Sequence, residues 1–312
     1  MKKIAILGVT GYIGSSLLRE FFLEKKAYKL FLFSRSKEKL HTQIKETPKK
    51  VEYSIHSFDE FHKGGYDVII NCTGISGISL LKNNPLEVFN VTEEVDSLVI
   101  SYLQKNPKAL YINLSSGAVY GDYLDAPRNE NSITQLAGGF SSNRASYAIA
   151  KINAEAKHRA LAMFNIVDIR IFAFFSSLVD TDSAFLMTEI TKCILHKKVF
   201  VTNADDMTRD YVTAKDLLSL IKLIIKKNKI NDHFDIYSKK PISKFKLLEA
   251  LAKKYGLTYE ITQEKKKKSS VRPKNIYVSN SKKATKVLGY KPVFTSLGGI
   301  TQELDSLIIS RR

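Results

Sequence analysis

The sequence predicts an α/β chain built on a doubly wound parallel sheet, with a smaller C-terminal lobe. Three observations carry this expectation. Short apolar runs alternate with longer stretches of helical periodicity through the first half of the 312 residues. A glycine-punctuated segment, Gly8-Val9-Thr10-Gly11-Tyr12-Ile13-Gly14, lies between the first such run and the first helical stretch. Beyond about Phe175 the alternation loosens into Asp-, Ser- and Thr-rich turns with shorter strands. Alternating strands and helices are the mark of βαβ units, which build parallel sheets.

The strand-like runs are, in order, Lys3 to Leu7, Lys29 to Phe33, Val51 to Ile55, Asp67 to Asn71, Ala109 to Leu114 and Val167 to Phe172. After Ile13, the spacing of Leu17, Leu18, Phe21 and Phe22 places an apolar stripe on one helix face. The glycine segment thus joins a strand to a helix, and the sheet is expected to be Rossmann-like. In the looser half, short strands are expected around Val199 to Thr202 and Phe234 to Tyr237, with helices around Lys244 to Tyr255 and Ser281 to Leu288. The expected division is a dinucleotide-binding domain over 1–175 and a mainly substrate-binding lobe over 176–312, some segments of which return to the main sheet.

Composition narrows the class. With 44% hydrophobic and 26% charged residues the chain is an ordinary globular one. No apolar run reaches the roughly 20 residues of a membrane helix; the longest, Ile169 to Val179, contains Arg170 and two serines. The N-terminus imitates a secretion signal, but glycines interrupt its apolar stretch and Arg19-Glu20 follow with no cleavage site, so it reads as a strand. The two cysteines, Cys72 and Cys193, suggest neither a zinc site nor a disulfide framework and fit a reducing cytoplasm. The formal charge of +18 raises the question of nucleic acid. Most of that charge is scattered lysine, and the one dense run, Lys265 to Lys268, has no interleaved aromatics; a solvated loop is expected, and no nucleic-acid partner.

Glycines at 8, 11 and 14 let the backbone turn tightly and approach a diphosphate, whose charge the helix N-terminus favours. Gly8, Thr10, Gly11, Tyr12, Ile13 and Gly14 are therefore candidate cofactor residues. An acidic residue about 20 positions further on would hold the adenosine ribose of NAD. Here the second strand runs instead into Ser34-Arg35-Ser36-Lys37. Arg35 could grip a 2′-phosphate with forked hydrogen bonds and Ser34 could assist, so NADP(H) is preferred, with NAD(H) possible.

Tyr147 and Lys151 lie one helical turn apart on one face, where the ammonium can favour the phenolate and hold the cofactor ribose. The pattern is cheap: Tyr211 and Lys215 match it equally. Context separates the two, because only Tyr147 follows the hydroxyl-rich Asn113-Leu114-Ser115-Ser116-Gly117-Ala118-Val119-Tyr120-Gly121, in which Ser116 could bind the same substrate oxygen. Ser116, Tyr147 and Lys151 are the candidate catalytic residues; strand-end capping is the plain alternative for the serines.

Together these residues resemble the extended short-chain dehydrogenase/reductase family, the nucleotide-sugar-modifying branch, over nearly the whole chain. The resemblance includes Asp67-Val68-Ile69-Ile70-Asn71-Cys72-Thr73-Gly74, similar to the family's fourth strand, and implies that Asn71, Cys72 and Thr73 border the cofactor. It also includes Arg209-Asp210-Tyr211-Val212-Thr213-Ala214-Lys215-Asp216, Arg272-Pro273-Lys274-Asn275, and the stretch from Ser281 to Pro292. It implies that Arg209 and Arg272 hold the diphosphate of a nucleotide sugar, with Tyr211 and Asn275 as further substrate residues. A homodimer through the Tyr147 helix and the long helix near Val88 to Leu103 is implied by the resemblance alone.

Two departures matter. Arg170 is followed by Ala173 and Ser176-Ser177, without the family's substrate-contacting asparagine. Where the family's 4,6-dehydratases carry an Asp-Glu pair, Gly117-Ala118 stand. The expected activity is an NADP(H)-dependent 4-keto-sugar reductase, as in deoxysugar synthesis for surface polysaccharides. The runner-up is a C4 epimerase with tightly held NAD. A catalytically silent dinucleotide-binding regulator is the alternative of another class, opposed by the joint presence of Ser116, Tyr147 and Lys151.

Overall fold

The computed structural model describes residues 1–24, 28–45, 47–48, 50–75, 84–121, 126–132, 134, 145–181, 183, 185–262 and 275–311. The strands are β1 (Lys2–Leu7), β2 (Tyr28–Phe33), β3 (Glu52–His56), β4 (Val68–Asn71), β5 (Leu110–Ser116), β6 (Asn165–Ile171), β7 (Ala173–Phe174), β8 (Phe200–Asn203), β9 (Thr208–Arg209), β10 (Tyr211–Val212), β11 (Asn231–Ile236), β12 (Ile242–Ser243), β13 (Tyr259–Thr262) and β14 (Ile276–Tyr277). Seven of them form one sheet in the order β11-β6-β5-β4-β1-β2-β3, and every pairing in it is parallel.

The strands are apolar on both faces because helices cover both. In β1, Ile4 and Ile6 enter one core while Ala5 and Leu7 enter the other, as a two-residue period requires. On the first face lie α1 (Tyr12–Leu23), α2 (Lys37–Ile44), and two later helices given below; α1 buries the stripe of Leu17, Leu18, Phe21 and Phe22. On the second face lies α3 (Pro85–Lys105), with Val99, Tyr102 and Leu103 in the core. It packs along α4 (Ala145–Ala160).

The chain runs from β1 outward to β2 and β3, then crosses back to β4 and continues the other way. The point between β1 and β4 is the topological switch of such a sheet, where ligands enter beyond the carboxyl ends of the strands. Leu7 is in register with Phe33 on one side and Asn71 on the other, so Gly8, Ser34 and Cys72 form a row at that edge.

After β6 the chain builds a second core from α5 (Leu186–His196), β8 and later segments, then returns. β11 pairs with β6, and α6 (Ala214–Ile224) packs on α1. The apolar run expected around Phe234 to Tyr237 is the end of β11, the seventh strand of the main sheet. α7 (Lys244–Tyr255) keeps its expected bounds and stops at Gly256, whose φ of 68° suits a residue without Cβ. α8 (Lys283–Leu288), on the first face of the sheet, starts two residues later than the spacing predicts: Ser281 stays outside it in a local turn, its hydroxyl accepting the Lys283 N–H at 3.2 Å. α9 (Ser296–Ser310) closes the second core with Ile300 and Leu304. Among the described residues no helix is long and apolar enough to cross a membrane.

Candidate active site

The glycine turn is dictated by close approach. A Cβ on Gly14 would lie 2.3 Å from the Gly8 carbonyl oxygen, and one on Gly8, at φ 76°, would lie 2.9 Å from the Thr73 backbone nitrogen. The Gly11 N–H donates to the Gly8 carbonyl at 3.1 Å, closing the turn. α1 begins at Gly11 with no side-chain cap and no acidic residue in its first turn, so its leading N–H groups and dipole face the crevice without internal competition. A side-chain-free cradle at a helix N-terminus fits the diphosphate of a dinucleotide.

Of the other candidates in this loop, the Thr10 hydroxyl pairs with that of Ser34 at 3.2 Å. Ser34 is buried and also donates to the Ser36 carbonyl at 3.0 Å, so it shapes the loop. Arg35, next to it, is exposed. Tyr12 points to the segment around β7: its hydroxyl accepts the Ser176 N–H at 2.7 Å and its ring meets Phe174 edge-on at 5.3 Å. Ile13 packs against the core of the first face.

Opposite the cradle, the Asn71 side-chain oxygen accepts the Thr73 N–H at 2.9 Å and the Thr73 hydroxyl at 2.5 Å. This fixes the β4 edge against Gly8. Burial pushes the Cys72 thiol up to about 12, only partly countered by Lys151, so it stays a neutral thiol lining the crevice.

Ser115 and Ser116 end β5 and, by strand alternation, face opposite ways. The Ser115 hydroxyl donates to Glu155 at 2.5 Å. Ser116 accepts the Ala118 N–H at 3.2 Å, which caps a short 3-10 turn over Gly117–Tyr120. Capping leaves this oxygen a lone pair and a proton, so it does not preclude the substrate role expected from the sequence. On α4, the Lys151 ammonium lies 5.9 Å from the Tyr147 ring centroid and donates to the Leu114 carbonyl at 2.9 Å. A Cβ on Gly74 would lie 3.8 Å from it, so Lys151 reaches from the β5 edge to the segment that follows β4. The look-alike pair differs: Tyr211 is buried among the apolar residues of the second core, and Lys215 lies over the Phe294 ring at 5.8 Å.

Arg209 and Asn275 are brought together by the pairing of β9 with the segment leading into β14: the Thr208 N–H donates to the Asn275 carbonyl at 2.7 Å. Arg272 and the Lys265 to Lys268 run lie outside the described residues. Two features escape sequence reasoning. Tyr277, from β14, brings its hydroxyl 3.4 Å from Ser116 Oγ, and no local pattern announces it. Arg170 forks onto Glu155, with Nε 3.0 Å from Oε2, and also donates to the Tyr120 hydroxyl at 2.9 Å. Glu155 was detectable, since it stands four residues beyond Lys151 on the same helix face.

The chain matches a known family in sequence and known structures in fold. The model of the family described as "NAD dependent epimerase/dehydratase family" matches residues 4–238. A UDP-glucose 4-epimerase from Thermotoga maritima, solved with UDP-glucose, superposes with a TM-score of 0.82 at 16% identity, covering 99% of this chain and 100% of its own. A UDP-glucuronic acid 4-epimerase from Bacillus cereus, solved with UDP-glucuronic acid and NAD, gives 0.79 at 19% identity, covering 99% and 100%. A dTDP-glucose 4,6-dehydratase from Bacillus anthracis, in complex with NAD, gives 0.77 at 15% identity, covering 98% and 96%. Among curated proteins none matches by sequence. With the family pattern spanning the cradle, the Ser116 strand and the Tyr147–Lys151 helix, the chain belongs to the NAD dependent epimerase/dehydratase family and is a nicotinamide-dependent enzyme of the extended short-chain dehydrogenase/reductase type.

Proposed function

We propose that this enzyme reduces a nucleotide-linked 4-keto sugar with NADPH. The observation that carries the reading is the tip of β2: Arg35 is exposed there, Ser34 is buried, and no carboxylate stands at either position. A guidinium at that edge suits a 2′-phosphate, whereas the 2′-hydroxyl of NAD calls for an acid. Gly8, Gly11 and Gly14 would receive the diphosphate, and Asn71, Cys72 and Thr73 would border the cofactor.

When bound, the nicotinamide supplies the hydride for the sugar carbonyl. Ser116 donates a hydrogen bond to the carbonyl oxygen, Tyr147 gives that oxygen its proton, and Lys151 stabilises the phenolate left behind. Arg209, beside Asn275, is suited to the substrate diphosphate by its guanidinium, and Arg272 is proposed to share that task. The protein is proposed to work as a homodimer through α3 and α4. Dehydration is disfavoured because Gly117 and Ala118 supply neither the acid nor the base of water elimination, and a Cβ at Gly117 would meet the Phe172 ring at 2.7 Å.

A second reading, a C4 epimerase using retained NAD, is favoured by the full-length superposition on the Thermotoga and Bacillus cereus 4-epimerases. One assay separates the two. Purified protein is mixed with NADPH or NADH and a panel of nucleotide-4-keto-sugars, and loss of reduced-nicotinamide absorbance is followed. Stoichiometric NADPH oxidation supports the reductase. Interconversion of UDP-hexoses without net oxidation, by protein that retains NAD through purification, supports the epimerase and overturns the first reading.

A further inference from the structure

In the proposed reaction Ser116 must present its single hydroxyl proton to the reacting oxygen, and among the described residues two neighbours bear on where that proton points. The Ala118 N–H donates to Ser116 Oγ at 3.2 Å and occupies one lone pair. The Tyr277 hydroxyl lies 3.4 Å from the same oxygen. That separation is long for two hydroxyls, and hydrogen bonds of this kind tighten in the substrate complex.

Tyr277 is not a loose neighbour. Its strand, β14, is hydrogen-bonded to β9. Its ring packs at 5.0 Å against Phe172, and the Arg209 guanidinium lies 5.9 Å from the ring centroid. The ring is therefore held by both lobes, Phe172 following β6 of the sheet and Arg209 coming from β9 of the second lobe. Burial raises the Tyr277 pKa well above that of an ordinary phenol, with the Ser116 contact opposing and the nearby Tyr147 adding to the rise, so the hydroxyl keeps its proton as a donor. A serine oxygen accepts at most two hydrogen bonds and donates one. With Ala118 and Tyr277 both donating, the only direction left for the serine proton is toward a third partner.

We propose that Tyr277 is a positioning residue of the catalytic centre: its hydroxyl donates to Ser116 Oγ and thereby commits the serine proton to the reacting oxygen of the substrate. The inference rests on the reading of Ser116 given above. It ties the second lobe to the chemistry, since the residue that orients Ser116 belongs to the same short strand pairing that carries Arg209. The converse arrangement, with Ser116 donating to Tyr277, would make the tyrosine a competitor that the substrate has to displace.

The test uses Tyr277→Phe, which keeps the ring against Phe172 and Arg209 and removes only the hydroxyl, alongside Ser116→Ala and the double variant. Turnover is measured with the nucleotide sugar that the wild type accepts, and NADPH affinity checks that each variant is folded. Ser116→Ala is expected to lower kcat by about 100-fold or more. Tyr277→Phe is expected to lower kcat by about tenfold, the worth of one neutral hydrogen bond, with KM for the sugar nucleotide little changed. The double variant should be no slower than Ser116→Ala alone, because both changes remove one unit. A readout independent of turnover is the carbon-13 signal of the Tyr277 phenol in labelled, cofactor-free protein, assigned by its loss in Tyr277→Phe; it should move in Ser116→Ala. Unchanged or raised kcat in Tyr277→Phe beside a slow Ser116→Ala, additive losses in the double variant, or a stationary carbon signal each overturn this inference alone. An unchanged kcat in Ser116→Ala overturns the catalytic reading of Ser116 and this inference with it.

Discussion

A methyl group at position 14 would sit 2.3 Å from the Gly8 carbonyl oxygen and 3.1 Å from Val9 Cα, both backbone atoms that cannot step aside. Gly14→Ala is therefore expected to open the turn between β1 and α1. Overpacking of this kind costs about 1–3 kcal/mol, which at 1.4 kcal/mol per decade weakens dinucleotide binding by roughly 5- to 150-fold. Titration of nicotinamide fluorescence checks it, and unchanged affinity would remove the cradle from the binding site. The neighbouring prediction concerns choice of cofactor. Arg35→Asp exchanges a guanidinium for the acid that a ribose hydroxyl prefers, so NADPH affinity should fall by on the order of 10- to 150-fold, a charged hydrogen bond being worth about 1.5–3 kcal/mol. NADH affinity should hold or rise. At this scale the glycines were legible in sequence because their requirement is local, whereas Tyr277 was not, because its partners Ser116 and Phe172 are more than 100 positions away.

α4 concentrates on one buried face the residues that matter at the scale of an element: Lys151, Glu155 and His158, with Tyr147 at the start. His158 is completely buried between two carboxylates, Nδ1 2.9 Å from Asp168 and Nε2 2.7 Å from Asp96. Asp96 also accepts the Tyr111 hydroxyl at 2.9 Å, and the Asn71 amide nitrogen lies 3.0 Å from that same hydroxyl, so the cluster reaches the β4 edge. Burial alone would lower the His158 pKa, but the hydrogen bonds and charges of Asp168 and Asp96 outweigh it and carry it up to about 9 from 6.5. A raised folded-state pKa contributes stability that is complete below about pH 6.5 and is lost as pH rises through 9. The loss should be on the order of a few kcal/mol. Urea midpoints across that window should fall for the wild type and stay flatter for His158→Gln; parallel curves would show that the imidazolium is not the group responsible. The helix itself was legible from spacing, but the partners of His158 come from α3 and β6 and follow only from packing.

The molecule as a whole is tied together by a polar seam between α1, the chain leaving β7, and α9. Glu303, buried on α9, pairs with Arg19 of α1 at 3.0 Å and accepts the Ser177 N–H at 2.8 Å, while the Ser16 hydroxyl donates to that of Ser176 at 2.9 Å. Ser16, Ser176 and Ser177 thus join α1 and α9 to the chain leaving β7. Glu303→Ala strips acceptors from a partly buried guanidinium and a buried N–H, and should destabilise the protein by about 2–4 kcal/mol. Urea unfolding checks the loss; a change below about 0.5 kcal/mol, the scale of ordinary surface substitutions, would show the seam to be incidental. By itself the sequence determined the alternation of strands and helices, the glycine turn between the first two of them, and the hydroxyl and Tyr-Lys residues proposed for catalysis. These are properties of short stretches, set by a two- or 3.6-residue period and by what fits around a backbone turn. Sequence context set Tyr147 apart from Tyr211, but only tertiary structure decided where the two pairs end, Tyr147 at the sheet edge and Tyr211 in the second core. Tertiary structure alone fixed β11 as a segment that returns to the main sheet, beside β6, and set Tyr277 beside Ser116. The physical reason is common to all three: burial and hydrogen-bond satisfaction are settled between segments far apart in the chain, where local periodicity carries no information.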